Sequence, residues 1–134
     1  MALLIGVCLA LAVALFGYLV GLDRDRAFYA TVLAVVASYY GLFAVMSGSP
    51  QTLLLECIAI AAFLVITALG FKGSQWLLVA GLAAHGVFDY FHGHVISNGG
   101  VPSWWPNFCL SYDITAAACL AWLLQRRNKL KYPA

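Results

Sequence analysis

Residues His85 to Asp113 read HGVFDYFHGHVISNGGVPSWWPNFCLSYD. This stretch holds all three histidines and two of the five acidic residues, in a chain of 134 residues of which only 9% are charged. It begins inside one apolar segment and ends inside the next. Polar groups set this densely in apolar sequence need an interior to face, so the fold is decided by what surrounds them.

The surroundings are those of a membrane protein. Hydrophobic residues make up 64% of the chain and the mean hydropathy is +0.93. A soluble domain must cover its core with polar surface, and this composition cannot. A hydrocarbon layer about 30 Å thick needs about 20 apolar residues in a helix. Five segments reach that length, at about 2–22, 27–46, 52–71, 75–96 and 108–125. The expectation is a single all-α domain over 1–134, an integral membrane bundle of five transmembrane helices. The first segment lacks a basic leader and is too long for a signal-peptide core, so it is expected to be a retained span. Short turns at Asp23–Arg26, Ser47–Gln51 and Lys72–Ser74 predict that the first four helices are antiparallel neighbours.

Charge gives a direction. With five spans, Arg24, Arg26, Lys72, Arg126, Arg127, Lys129 and Lys131, all seven basic residues, fall on one side. The positive-inside rule then puts the N-terminus outside and the C-terminus in the cytoplasm. The expected location is a bacterial inner membrane, crossed several times. The basic tail is read as this topology signal, with acidic lipid headgroups as a further partner and no nucleic acid.

Helical geometry gathers the polar residues. His85, Asp89 and His92 stand at i, i+4 and i+7, within about 60° of one another on one helix face. Each would cost on the order of 3 kcal/mol facing lipid at mid-membrane, so the face must turn inward. A rise of about 1.5 Å per residue sets Asp89, His92, Asp113, Glu56 and Tyr39 or Tyr40 in one layer of the outer half of the bilayer. Two imidazoles and several carboxylates suit Zn²⁺ or another divalent ion, with His85, Asp89, His92 and Asp113 as ligands. Glu56, Asp89 and Asp113 are the candidate catalytic carboxylates. Tyr39, Tyr40, Trp104, Trp105 and Tyr112 are the candidate substrate-binding side chains, the tryptophans serving as a lid or as an interfacial belt. The same groups also suit cross-helix hydrogen bonding that fixes packing alone. His94, two residues beyond His92, falls on the opposite face. A haem held between His85 and His92 is not expected, because both lie on one side of one helix.

Cys8, Cys57, Cys109 and Cys119 form no metal-ribbon spacing and read as small buried hydrophobes. Cys57 and Cys109 share a membrane surface, which leaves a disulfide between them open. Gly17 and Gly21 make one GxxxG, a weak signal for close helix approach or a homo-oligomer.

The pattern H-G-V-F-D-x-x-H over His85–His92, followed by V-P-x-W-W-P-x-F-C-x-x-Y-D over Val101–Asp113, resembles a family of small bacterial integral membrane proteins of unknown function. The resemblance covers about 30 residues. It implies a multi-helix membrane architecture and points at His85, Asp89, His92, Cys109 and Asp113, with no activity attached. Function therefore rests on the chemistry. The leading expectation is a metal-dependent, hydrolase-like enzyme acting on a lipid or other apolar molecule in the outer half of the bilayer. One alternative is metal-free acid/base isomerisation or cyclisation of isoprenoid-type lipids, with aromatic faces stabilising a cation. Another is a small transporter or an accessory subunit of a membrane complex.

Overall fold

A computed structural model describes residues 1–131 and shows an all-helical chain. Its five α-helices are α1 (Ala2–Val20), α2 (Ala27–Ser47), α3 (Pro50–Lys72), α4 (Trp76–Val95) and α5 (Trp105–Lys131), with one 3₁₀ turn, Leu22–Arg24, between α1 and α2. Four of them, α1, α2, α3 and α5, are long and apolar enough to cross a membrane, as expected of an integral membrane protein. α4 is as long as α1 but is diluted by His85, Asp89, His92 and His94. It is also deeply enclosed, and its buried residues Leu78, Gly81, Leu82, His85, Gly86, Asp89 and His92 follow the 3-and-4 spacing of one helical face.

Local chemistry sets the helix ends. α1 and α2 stop at Gly21 (φ 79°) and Gly48 (φ 70°), left-handed positions where a side chain would be strained. α3 starts at Pro50, two residues before the apolar run predicts. Ser49 Oγ accepts from Thr52 N–H at 3.3 Å, and proline suits the first helical position because it has no N–H to satisfy. α5 starts at Trp105, three residues before the expected Phe108, with Pro106 in its first turn. It also runs past the expected end at 125, through Arg126 and Arg127. An apolar run marks where lipid would begin, whereas Leu, Gln, Arg and Lys propagate helix on either side of that boundary.

The packing order is α1 on α5, α5 on α4, α4 on α3 and α2, and α2 on α3. Two glycines permit close approach of α1 and α4 to α5. A side chain at Gly6 would collide with Ser111 Oγ and the Phe108 carbonyl of α5. One at Gly86 would sit 3.2 Å from both Asp113 Cβ and the Leu110 carbonyl. The expectation that α1 and α2 pack along their length as neighbours is corrected here. They meet near their short turn, where Gly17 lies against Phe28, but beyond it α1 spends its small-residue face on α5, and a groove lies between α1 and α2. The GxxxG pair is likewise consumed within the chain: Gly17 is buried against the Phe28 ring and Gly21 is the α1 cap.

The two ends of the bundle differ. At one end the basic residues fasten the turns together. Arg127 donates to the Asp23 carbonyl at 2.6 Å, and the Arg26 guanidinium donates to the Gly73 carbonyl. At the other end the α4–α5 loop folds over α2 and α3. Thr52 Oγ1 donates to the Ser97 carbonyl at 3.2 Å, Asn98 Nδ2 donates to the Tyr40 carbonyl at 3.2 Å, and Gly100 lies against the Phe43 carbonyl.

Candidate functional site

One face of α4 carries His85, Asp89 and His92, and α5, α3 and α2 bring Asp113, Glu56 and Tyr40 to meet it. All six are at most 2% exposed. The helical phase read from sequence accounts for this, since i, i+4 and i+7 put the three α4 groups on the stripe that the neighbouring helices cover.

The structure sorts these residues into two centres. In the first, His85 Nδ1 lies 2.7 Å from Asp113 Oδ2 and 3.2 Å from Asp89 Oδ2, and one ligand atom from each residue lies within 4.8 Å of the others. A proton on Nδ1 bonds Asp113; the Asp89 oxygen is near enough for ion pairing but not aligned for a hydrogen bond. In the second, His92 Nε2 lies 2.8 Å from Glu56 Oε1, which also accepts from Asn98 Nδ2 at 2.8 Å. The Tyr40 ring stacks on His92 with centroids 3.9 Å apart, and its hydroxyl faces Asp89. Tyr40 is thus the piece that joins the two centres.

The four-ligand set His85, Asp89, His92 and Asp113 is therefore not one cluster. Seven residues of helix raise His92 about 10 Å above His85, where α3 rather than α5 supplies its partner. Glu56 is likewise committed to His92 and Asn98 instead of standing over the first centre. His94 is exposed. Cys57 is exposed and Cys109 buried, and all four cysteines are free thiols, so the bridge left open in the sequence is absent.

Several buried oxygens in this layer have no hydrogen-bond partner: both oxygens of Asp89, Asp113 Oδ1, Glu56 Oε2 and the Tyr40 hydroxyl. Three of the five belong to the first centre. Buried carboxylate oxygens left without donors are costly, on the order of 1–3 kcal/mol each and more when charged. A cation between the two aspartates would remove that cost. In a tetrahedral site with bonds near 2.0–2.2 Å, donor atoms stand roughly 3.3 Å apart. The spacings of 2.7 and 3.2 Å from His85 Nδ1 are within a small side-chain adjustment of that.

The aromatic residues divide too. Tyr40 belongs to the polar layer, whereas Tyr39, Trp104, Trp105 and Tyr112 line the groove between α1 and α2. Trp105 contacts Tyr39, Phe43 and Phe108 edge-on or tilted at centroid distances of 5.2, 4.9 and 5.4 Å. The groove has a volume of about 830 Å³ and runs from Met1 and Trp104 at one end to Leu22 and Asp25 at the other. The tryptophans wall this groove; the polar layer itself is covered by the loop around Asn98. Cys109, 2% exposed, lines the groove from α5, one helical turn before Asp113.

Comparison of the chain with family models, with curated proteins and with solved structures found no match. The assignment of roles therefore rests on this geometry. Asn98 was not foreseen, because an Asn before two glycines reads only as a turn. Its importance comes from the loop folding inward, which no local pattern announces.

Proposed function

We propose that this protein is a membrane-embedded, metal-dependent enzyme of hydrolase type, acting on a lipid or similarly apolar molecule. The observation that carries the reading is the first centre: one imidazole and two carboxylates, at most 1% exposed, with three carboxylate oxygens lacking any donor. His85, Asp89 and Asp113 are the proposed ligands of Zn²⁺ or another divalent ion. Such an ion would supply Lewis acidity at a site shut off from bulk water.

The remaining residues support that chemistry. Phe63 sets its ring edge-on to His85 at 4.7 Å and fixes the imidazole plane. The Tyr40 hydroxyl, lacking a hydrogen-bond partner and facing Asp89, is the proposed proton carrier between Asp89 and the His92–Glu56 pair. The groove is the proposed place of the substrate's apolar part, with Cys109 and Tyr112 contributed by α5, the helix that carries Asp113. Its volume falls in the range of small-molecule sites, about 300–1,000 Å³.

We also propose that α4 is a fifth span, giving a multi-pass protein of a bacterial inner membrane with the N-terminus outside and the basic end in the cytoplasm. Two observations support this. α4 turns its polar stripe inward and leaves Val87, Tyr90, Phe91 and Val95 about half or more exposed, as lipid contact requires. Arg24, Arg26, Lys72, Arg126 and Arg127 belong to the end where Arg26 and Arg127 tie the turns. The polar layer then lies in the outer half of the bilayer.

The test is metal content. Protein purified without a histidine tag is expected to retain about one divalent ion per chain, and Asp89→Ala or Asp113→Ala to lose it while keeping its helicity. Metal-free wild-type protein with an intact fold would overturn the reading. One observation favours a second reading in that event. The His85–Asp113 hydrogen bond of 2.7 Å is a geometry suited to holding or passing a proton, and the aromatic wall of the groove could stabilise a carbocation. Metal-free acid/base isomerisation or cyclisation of an isoprenoid-type lipid would then be the reading to pursue.

A further inference from the structure

A second cavity, of about 580 Å³, lies on the far side of α1 from the groove, between α1 and α5 at the basic end. Leu11, Leu15, Ala118 and Leu123 form its apolar length. Its head is polar, with Asp23 from the 3₁₀ turn and Arg126 from α5. Asp23 is only 7% exposed, lines the cavity, and has no salt-bridge or side-chain hydrogen-bond partner among the described residues. Arg127 nearby is committed to the Asp23 backbone carbonyl, leaving the carboxylate unserved. Arg126 lies over the Trp122 ring with its guanidinium carbon 5.4 Å from the centroid, and it too has no acidic partner among the described residues.

A buried carboxylate and a free guanidinium at one end of an apolar slot define a ligand with three parts. It needs an ammonium that donates hydrogen bonds to Asp23, a phosphate for Arg126, and acyl chains for the slot. A simple anionic lipid would leave Asp23 unpaired. A choline lipid presents methyl groups where Asp23 needs N–H. We propose that this cavity binds a phospholipid with a primary-amine headgroup, of the ethanolamine class, at the membrane face opposite the polar layer. The site uses neither the His85 centre nor the α1–α2 groove, so it stands or falls independently of the catalytic reading.

The experiment uses the full-length protein in nanodiscs or mild detergent. Retained lipid is measured by native mass spectrometry during competition among ethanolamine, choline and glycerol phospholipids with matched chains. Wild-type protein is expected to retain the ethanolamine lipid over the choline and glycerol lipids by on the order of tenfold, the effect of one charge-assisted hydrogen bond. Asp23→Asn is expected to erase the preference. Arg126→Gln is expected to weaken all three lipids alike while leaving their order unchanged. Equal retention of the three lipids by the wild type would overturn the proposal, and so would an unchanged preference in Asp23→Asn. If Asp23→Asn does not fold, the wild-type ranking still decides.

Discussion

Glu56 and His92 offer a direct measure of what the polar layer is worth to the fold. Both are at most 2% exposed and they meet at 2.8 Å, with Asn98 sharing the same carboxylate oxygen. Glu56→Ala strands two N–H groups, that of the His92 ring and one of the Asn98 amide, whose bond to the Tyr40 carbonyl remains. At about 1–3 kcal/mol for each buried group left unpaired, the expected loss is roughly 2–6 kcal/mol. His92→Leu strands less, because Glu56 keeps Asn98. Hydrogen-bonded pairs in membrane helices couple by about 0.6 kcal/mol on average and about 1.7 at most. This pair is fully buried, meets at 2.8 Å and is stacked on Tyr40, so the upper end applies and a coupling of about 1.5 kcal/mol is expected. The assay is a double-mutant cycle of Glu56→Ala and His92→Leu, read by reversible unfolding in mixed micelles. A coupling under about 0.5 kcal/mol would refute the reasoning and mean that the two side chains only fill space.

Asn98→Ala should cost about 1–2 kcal/mol by the same unfolding assay, since it releases the loop from both Glu56 and Tyr40, and should speed proteolysis between residues 96 and 104. Gly6→Leu should destabilise by about 1–3 kcal/mol, because the added side chain meets Ser111 and the Phe108 carbonyl, whereas the same change at exposed Gly93, where nothing lies within 4 Å, should cost under about 1 kcal/mol. Cys109→Trp should slow reaction with a groove-bound lipid probe and leave metal content unchanged, because Cys109 lines the groove without joining the proposed ligand set.

The layer of Asp89, His92, Asp113 and Glu56 was legible because one number, the helical rise, relates residues on different helices once they are taken to run antiparallel; it did not include His85, which the structure pairs with Asp113. Spacing within α4 gave the shared face. It could not divide the groups between partners, because that depends on which neighbour offers a carboxylate at which height: α5 supplies the one for His85, while α3 supplies the one for His92. The groove between α1 and α2 was hidden for a similar reason. A short turn fixes direction, but packing follows the small residues, and Gly6 commits α1 to α5. Apolar length described lipid exposure better than helix length, which is why α5 begins and ends beyond its apolar run. Asn98 shows the limit of local signals, since nothing in Ser-Asn-Gly-Gly reveals that the amide reaches a buried glutamate 42 residues earlier.

The central claim is that His85, Asp89 and Asp113 hold an ion. An anomalous difference map at the zinc absorption edge, from crystals of untagged protein grown with zinc, tests it most directly. The expected result is one peak at about 2.0–2.2 Å from an imidazole nitrogen of His85 and from one oxygen of each aspartate. A map with no peak there, and with the His85–Asp113 hydrogen bond still closed at full zinc, would contradict it.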